Sequence, residues 1–443
     1  MRFGRFFRIT PFQMIAFGFL SLILIGTLLL MLPFSSTIPG CAKFTDCLFT
    51  ATSAVCVTGL VVQDTATFWT PFGQVVILSL IQIGGMGVIT TGMFLTFLLG
   101  RKIGILQRSL MQESISAHQV GGIVRLTRFI VLTASCFELL GALFLLPVFI
   151  PQFGPGKGLW YAVFHSVSAF CNAGFDLMGV REPYSSMTGF SQNPLLNCVI
   201  ILLITIGGIG FLVWDDVSAH GLHFRQYRLQ SKLALIVSAV LIILPALLFQ
   251  RFEMGDLPLS ERLLPSLFQS VTLRTAGFNS MDLTKFTHGG LALMIVMMLI
   301  GGSPGSTAGG IKTTTVAVLI LTAWSVFRRK DTPTCFGRRL GDGTIHHAVA
   351  ILTMYGLLFS ICGTIICEIE DLPLISCLFE SASAIGTVGL SLGITGSLCT
   401  VSRLLLIMLM FLGRIGGLTL VYAAQAPRPN PFSTLPLERV TVG

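Results

Sequence analysis

The chain has 443 residues, of which 53% are hydrophobic and only 11% are charged, and its mean hydropathy is +0.85. This composition excludes an ordinary soluble domain, in which polar faces alternate with apolar ones. The net charge of +9 comes from basic residues in the loops between apolar segments, which indicates membrane topology and not nucleic-acid binding. We therefore predict an integral membrane protein.

Eight apolar segments are long enough to cross a bilayer. They lie at 11–34, 73–99, 126–150, 195–214, 232–250, 290–326, 347–369 and 402–426. Basic residues cluster in three of the connecting loops: Arg101, Lys102, Arg108, Arg125 and Arg128; Arg225, Arg228 and Lys232; Arg328, Arg329, Lys330, Arg338 and Arg339. With eight spans these loops and both termini share one side, which the positive-inside rule makes cytoplasmic. The opposite loops carry the acidic residues Asp64, Asp176, Glu182, Glu253, Asp256 and Asp282, an arrangement that attracts cations.

No motif of an enzyme is present. The sequence has no Walker A loop, dinucleotide fingerprint or nucleophile elbow, and its histidines form no metal-ligand pattern with cysteines. The 11 cysteines lie mostly in apolar segments and are expected to be reduced thiols, although Cys41, Cys47 and Cys399 fall in outer loops and a pairing among them stays open. We predict no enzymatic activity and no cofactor bound by this chain.

A segment of one pattern occurs four times. The copies are FTATSAVCVTGL from Phe49, FHSVSAFCNAGF from Phe164, FQSVTLRTAGF from Phe268 and FESASAIGTVGL from Phe379. Each begins with Phe, continues with small and hydroxyl residues, and closes on Gly followed by an apolar residue. A glycine motif follows each copy: IGGMG from Ile83, IGGIG from Ile206, IGGSPGSTAGG from Ile300 and GRIGG from Gly413. We predict repeats at 1–100, 101–220, 221–330 and 331–426, with a tail at 427–443.

Each copy is semi-polar and too short to span the bilayer. Irregular backbone at membrane depth is tolerated only where it is buried or lines water, so four such segments are expected to converge on a pore. Their carbonyl oxygens can then replace the hydration shell of a cation. Glycine at the turn permits the required backbone angles, and the short helices aim partial negative charge at the centre. The predicted fold is all-α: four parallel helix–pore-loop–helix repeats with pseudo-fourfold symmetry around one pore, eight transmembrane helices and four re-entrant segments.

Over nearly its whole length the sequence resembles the Trk/Ktr/HKT superfamily of potassium transporters, and most closely the KtrB-type membrane subunits. Thr387-Val388-Gly389 matches the TVG of potassium-channel filters, and Val57-Thr58-Gly59, Asn172-Ala173-Gly174 and Thr275-Ala276-Gly277 are the degenerate versions. The resemblance implies that Gly59, Gly174, Gly277 and Gly389 are filter glycines. Glycine in all four copies implies selectivity for potassium, because some sodium-preferring plant relatives have Ser in the first. It also implies that potassium occupies only the filter.

The third repeat departs from the others in its second helix. Five Gly and one Pro interrupt it over Gly301, Gly302, Ser303, Pro304, Gly305, Ser306, Thr307, Ala308, Gly309 and Gly310, and each costs a helix about 1 to 3 kcal/mol. The resemblance implies an intramembrane gating loop here, with Lys312 suited to reach the cytoplasmic surface and Arg414 in the pore beside the loop. A broken helix used only for packing is the alternative. The Gly-Gly motifs of the other repeats are interpreted as close-packing sites.

Charged residues within the membrane-embedded segments are also candidates for a structural or functional role. Glu380 and Arg274 lie in re-entrant segments and are expected to pair and brace the filter, whereas Glu138 is expected to be a hydrogen-bonded core acid. Arg414 has the alternative of a side chain that snorkels to the cytoplasmic end.

These residues predict passive or sodium-assisted potassium uptake driven by the membrane potential. The resemblance further implies a homodimer with the tail Pro427 to Gly443 near its interface, a bacterial inner-membrane location, and a cytoplasmic KtrA-like ring that binds ATP or ADP. Two competing functions are an alternating-access cation symporter and a membrane assembly protein without transport. The four copies run parallel and not inverted, which favours the pore.

Overall fold

The computed structural model describes residues 10–38, 40, 42–98, 104–115, 122–255, 258–330 and 332–416. The predicted tail at 427–443 therefore lies outside the described residues, as does the end of the last predicted span. Within them the chain is helical apart from loops and one small hairpin. The fold is the predicted all-α membrane architecture.

Each repeat begins with one long, uninterrupted apolar helix. These are α1 (Pro11–Leu30), α7 (Ile123–Phe153), α11 (Leu229–Phe252) and α15 (Asp342–Glu370). They contain 20 to 31 residues, with mean hydropathies of 2.1 to 2.6 over their most apolar windows, which is enough to cross a hydrocarbon core of about 30 Å. Thr10 caps α1 by accepting a hydrogen bond from the N–H of Gln13, whose side chain in turn accepts from the N–H of Thr10.

The second element of each repeat is a shorter helix that enters the protein and stops before the filter motif. These are α2 (Phe44–Val55), α8 (Pro155–Phe170), α12 (Leu259–Thr272) and α16 (Leu374–Gly386). The landmark residues Phe49, Phe164, Phe268 and Phe379 are all fully buried. Each of these re-entrant helices packs along the long helix that precedes it.

The third element is interrupted in repeats one, two and three, and in repeat four it is described as far as Gly416. The helices are α4 (Pro71–Met86) with α5 (Val88–Leu98), α9 (Pro194–Ile209) with α10 (Phe211–His220), α13 (His288–Leu299) with α14 (Thr313–Phe327), and α17 (Thr400–Ile415). Gly87, Gly210 and Gly416 follow α4, α9 and α17 at φ of 87°, 106° and 88°, and α9 and α10 meet at 94°. The prediction that only the third repeat is broken was wrong, because repeats one and two are broken as well, where Gly87 and Gly210 adopt positive φ and stop the helix. By length and composition the described residues contain four uninterrupted spans, or five if α9 and α10 count as one.

The remaining elements lie in the connections between these helices, within and between repeats. They are α3 (Thr65–Phe68), α6 (Ile105–Ile115), the hairpin β1 (Thr334–Cys335) with β2 (Arg338–Arg339), and 3-10 turns at Met178–Val180, Thr188–Phe190, Phe224–Gln226 and Leu283–Lys285. The hairpin pairs Thr334 with Arg339 in antiparallel register.

The repeats close into a ring. The third element of each repeat packs on the re-entrant helix of the next: α4 on α8, α9 on α12, α13 on α16, and α17 back on α2. Glycines permit this approach within each repeat as well, because a Cβ built on Gly84, Gly207 or Gly413 would lie 2.1, 2.0 or 2.1 Å from the carbonyl oxygen of Val55, Phe170 or Ile385. Close packing at these motifs is therefore confirmed, and the four filter motifs are placed at the centre of the ring.

Candidate functional site

The four sequence motifs that follow the re-entrant helices meet at one place. Gly59, Gly174, Gly277 and Gly389 all adopt positive φ, at 89°, 68°, 77° and 95°. A Cβ built on each would strike the carbonyl oxygen of the residue before the glycine in the next repeat: 2.4 Å from Ala173 for Gly59, 2.5 Å from Ala276 for Gly174, 2.3 Å from Val388 for Gly277, and 2.1 Å from Thr58 for Gly389. The contacts run once around the ring and return to the first repeat. We call these twelve residues, the three of each motif, the filter ring.

A second set of strained residues opens each motif. Val57, Asn172, Thr275 and Thr387 have φ of 57°, 58°, 65° and 51°, a region that costs a non-glycine residue, and above all a β-branched one, of order 1 to 3 kcal/mol. Because φ is positive at the first and third positions and not at the second, successive peptide planes change their orientation along the motif. The sequence analysis identified the glycines and missed the first position, because side-chain identity there gives no signal of left-handed backbone.

Hydroxyl groups four residues after each landmark Phe hold the filter ring from behind. Ser53 and Ser383 accept hydrogen bonds from the N–H groups of Gly59 and Gly389, both at 3.0 Å. In the other two repeats the hydroxyl donates instead, from Ser168 to the carbonyl of Phe175 and from Thr272 to that of Phe278, both at 2.7 Å. These bonds fix the strand beside the helix end and explain the hydroxyl-rich pattern of the motif.

One face of the filter ring opens into a cavity of about 560 Å³. All four filter glycines line it, together with the carboxylates of Asp64 and Asp176. Asp64 also caps α3 by accepting from the N–H groups of Ala66 and Thr67 at 3.0 and 2.9 Å, and it accepts from the N–H of Tyr184 at 3.0 Å. Of the six acids that the sequence analysis placed on this side, Asp256 lies outside the described residues, and the other three do not line the cavity.

The glycine-rich segment of the third repeat lies against the opposite face of the ring. We call 301–310 the loop. Its base is closed by hydrogen bonds from Gly301 N–H to the carbonyl of Ile311 (2.9 Å) and from Thr313 N–H to that of Gly302 (3.0 Å). Its tip reaches the filter: the Thr307 hydroxyl donates to the carbonyl of Phe170 at 3.1 Å, and a Cβ built on Gly309 would lie 2.0 Å from the Thr387 hydroxyl oxygen.

The loop is seated on the break in the third element of repeat two. Ser303 and Thr307 donate their N–H groups to the carbonyls of Gly208 (3.0 Å) and Gly207 (3.2 Å), and Phe211 donates to the carbonyl of Gly305 at 2.6 Å. A helix that ran straight through Gly210 would use these groups internally. The kink between α9 and α10 therefore supplies the polar seat of the loop.

Arg414 joins the loop to the first repeat. Its guanidinium donates to the carbonyl of Thr307 in the loop, and to the carbonyls of Gly84 and Gly85 at 2.5 and 2.9 Å. It stands where the other repeats have the second glycine of the motif. The alternative of a snorkelling side chain is excluded, because the guanidinium turns inward to backbone carbonyls.

Lys312 does not extend away from the loop as the sequence analysis predicted. Its ammonium donates to the loop carbonyls of Ala308 and Gly309 at 2.7 and 3.4 Å. Free carbonyls at the C-terminal part of the loop attract the ammonium, which is half-buried instead of solvated.

Two of the predicted roles of buried charges need revision. Glu380 and Arg274 do not pair: Arg274 donates to the Ser238 hydroxyl at 2.9 Å, and Glu380 accepts from Ser391 and, at 3.1 Å, from Thr395. The two side chains sit in neighbouring repeats and each finds a partner behind its own helix. Glu138 is a hydrogen-bonded core acid as predicted, since the Gln82 amide donates to its two oxygens at 3.0 and 3.1 Å.

An ion pair that joins the last repeat to the first was not predicted from the sequence. Arg403 of α17 donates to Asp46 of α2 at 2.8 Å, and both side chains are largely buried. The pair fastens the last repeat to the first where the ring closes. Cys47 and Cys399 are both free thiols, while Cys41 lies outside the described residues.

The chain matches one protein family over nearly its whole length. Residues 7–434 match the TrkH family, described as cation transport proteins. The chain is 39% identical to the potassium/sodium uptake protein NtpJ of Enterococcus hirae, over 98% of each chain. It is 39% identical to the Ktr system potassium uptake protein B of Bacillus subtilis, over 94% of this chain and 93% of that one.

A solved structure has the same fold. The potassium transporter TrkH of Vibrio parahaemolyticus superimposes with a TM-score of 0.75, covering 96% of this chain and 87% of that one at 19% identity. The resemblance noted from the filter motifs is thereby confirmed, and the chain is a transporter and not an enzyme. With a ring of four filter motifs at its centre and this family match along its length, the chain belongs to the TrkH family of cation transport proteins, as a KtrB-like member.

Proposed function

We propose that this chain is the pore-forming subunit of a Ktr-type potassium uptake system and that K⁺ passes through the filter ring. The observation that carries the proposal is the closed circuit of contacts between each filter glycine and the preceding carbonyl of the next repeat. Four carbonyl groups held at this approach can replace the hydration shell of a monovalent cation. The re-entrant helices end one to three residues before the filter ring, so that their partial negative charges add to the attraction.

The loop is the proposed gate. It lies on the face of the filter ring away from the cavity, and Arg414 and Lys312 place two cationic groups among its carbonyls. A cation that leaves the filter in this direction meets both backbone and positive charge, and low dielectric strengthens that barrier. Opening requires the loop to leave its seat on Gly207 and Gly208.

The relatives named for the Ktr system support further parts of the proposal. They are named Ktr system potassium uptake proteins B and D, and such a name describes one member of a multi-component system. We therefore propose that a cytoplasmic KtrA-like ring, which binds ATP or ADP, moves the loop. We further propose a homodimer in the bacterial inner membrane with both termini cytoplasmic. In that orientation the basic loops are on the same side of the membrane as the KtrA-like ring, and the cavity opens to the outside of the cell. Sodium is a proposed co-substrate, because NtpJ is named for both ions.

Rubidium uptake by a potassium-deficient bacterial strain tests the proposal. Cells that express the chain with a Ktr ring partner should accumulate rubidium, and potassium should compete better than sodium. Cells with the Gly277→Ala chain are the control, since that methyl group would lie 2.3 Å from the Val388 oxygen. Absence of rubidium uptake from a chain that reaches the membrane, with and without sodium and the partner, overturns the proposed function.

An alternating-access symporter is the competing function. It predicts that uptake saturates at a low turnover and needs the coupling ion, whereas a pore predicts uptake that follows the membrane potential. The cyclic packing of all four repeats in one sense favours the pore, because symporters of that kind are built on inverted repeats.

A further inference from the structure

The residue directly after the landmark Phe differs in every repeat. It is Thr50, His165, Gln269 or Glu380, and each of the four is buried, with at most 1% exposure. All four lie on the re-entrant helices, on the side of the filter ring that carries the cavity. A polar side chain buried at this depth must find a partner or destabilise the fold.

In repeat two this residue supports the strand beyond the filter. His165 accepts a hydrogen bond at Nε2 from the N–H of Leu177, three residues past Gly174, at 3.2 Å. Its Nδ1 lies 2.7 Å from the carbonyl oxygen of Tyr161, so Nδ1 carries the proton and donates to that carbonyl. The imidazole thus links its own helix to the strand that leaves the filter.

In repeat four a carboxylate makes the equivalent link. Glu380 accepts from the hydroxyls of Ser391 and Thr395, two and six residues past its filter glycine. The oxygens of these two hydroxyls lie 2.9 Å apart. Ser391 and Thr395 line the cavity beside Gly389, so one buried carboxylate organises this wall of it.

The other two repeats lack the link. Within the part of the chain that the structure describes, neither the oxygen nor the nitrogen of the Gln269 amide has a hydrogen-bond partner, and the Thr50 hydroxyl has none either. Repeats two and four face each other across the ring, as do repeats one and three. The support of the filter is therefore twofold and not fourfold.

We propose that His165 and Glu380 are positioning residues for ion selectivity, which hold the filter strands of repeats two and four at the spacing that a dehydrated potassium ion requires. The proposal rests on the proposed function of the ring. Loss of His165 leaves the N–H of Leu177 without its acceptor, and loss of Glu380 leaves the hydroxyls of Ser391 and Thr395 without theirs. The strand then shifts to find one, and the carbonyls next to Gly174 or Gly389 shift with it. A looser ring accommodates sodium more easily.

Five variants test this proposal in the full chain. His165→Leu and Glu380→Leu remove the acceptor, while His165→Gln and Glu380→Gln keep one. Gln269→Leu is the matched control, because it makes the same change of shape at the equivalent position where no bond is lost. Rubidium and sodium influx are measured for each in cells, over a range of ion concentrations, together with the amount and monodispersity of the purified protein.

Both Leu variants should raise the KM for rubidium about tenfold and lower the rubidium-to-sodium influx ratio by a similar factor, which corresponds to the loss of one or two buried hydrogen bonds. The maximum rate should change less, both Gln variants should restore most of the ratio, and Gln269→Leu should match the wild type. If Glu380→Leu does not reach the membrane, His165→Leu and Glu380→Gln carry the comparison. Leu variants with wild-type ratios, or Gln269→Leu with an equal loss, overturn the positioning role. Absence of uptake in the wild type overturns the proposed function instead.

Discussion

The filter ring and the loop are built on opposite principles. The filter ring repeats one geometry four times: positive φ at the first and third positions, a hydroxyl behind, and a glycine against the next carbonyl. The loop occurs once, and its bonds go to repeat two, to Arg414 and to Lys312. Symmetry suits the coordination of a spherical ion, whereas a barrier that opens and closes needs a single mobile element with a few breakable bonds. Selectivity should therefore depend on the ring, and rate on the loop.

The largest effect is expected in the filter ring itself. Gly389→Ala places a methyl group 2.1 Å from the carbonyl oxygen of Thr58, and neither backbone can move without breaking the circuit of four. Rubidium uptake should fall by at least about tenfold, since a barrier change above 1.4 kcal/mol has this effect.

Gly154→Ala is the matched control for that variant. Gly154 also has positive φ, at 79°, but nothing lies within 4 Å of its built Cβ. It should lose about 1 to 3 kcal/mol of stability and keep its uptake. Equal losses of uptake in the two variants would show that backbone strain alone, and not the close approach of carbonyls, accounts for the result.

Arg414→Ala should change rate without changing selectivity. It removes a cation from the proposed path, together with one hydrogen bond to the loop and two to repeat one. Rubidium influx should rise about fivefold, while the rubidium-to-sodium ratio stays as in the wild type. Arg125→Ala, at an exposed position of α7, should leave both unchanged. A fall of the ratio in the Arg414 variant would contradict the separation of ring and loop.

The seat of the loop should have a smaller effect. In Gly210→Ala the methyl group meets the carbonyl oxygen of Pro304 at 2.8 Å, which pushes the loop from the α9–α10 break. Influx should rise about threefold. Gly221, at the other end of α10, has positive φ and open space around its built Cβ, so Gly221→Ala should leave influx unchanged. An equal rise of influx in that variant would contradict the role of the α9–α10 break in holding the loop.

The smallest effect is expected at Lys312. Lys312→Met keeps the length of the side chain and removes its bonds to the carbonyls of Ala308 and Gly309. Influx should rise about twofold, because Arg414 still holds the loop at Thr307. Lys232→Met, whose ammonium bonds outside the pore to the carbonyl of Arg225, is the control. A lower influx in the Lys312 variant would mean that the lysine helps the loop to open.

The sequence predicted the filter ring better than it predicted the contacts between the loop and the other repeats, and the reason is physical. The landmark Phe and the glycine recur because four equal helices must each bury one aromatic and turn one strand, and repetition makes such residues visible. Interactions between repeats leave no such pattern. The bonds of Arg414 to Gly84 and Thr307 join residues 330 and 107 positions apart, and the partners of Glu380 and Arg274 could not be read from their position in the motif.

The breaks in the third elements of repeats one and two were missed although their glycines were noticed, whereas the break in repeat three was predicted. Gly84, Gly207 and Gly413 do pack closely, as predicted, but the helix stops three residues later, at Gly87, Gly210 and Gly416. A glycine that permits close packing and one that adopts positive φ look the same in a sequence. Only the fold distinguishes the two uses, and at Gly210 the second use builds the seat of the loop.

Rubidium influx in a double variant is the most direct test of the claim that the filter ring determines selectivity and the loop determines rate. Deletion of 303–307 leaves the loop's base and the filter ring intact, and it is compared alone, with Arg414→Ala alone, and combined. Each single variant should raise rubidium influx, the double variant should raise it by less than the product of the two, because contacting residues couple, and all three should keep the wild-type rubidium-to-sodium ratio. A shortened loop that folds normally yet leaves influx unchanged or lower, or that abolishes selectivity, would contradict the account.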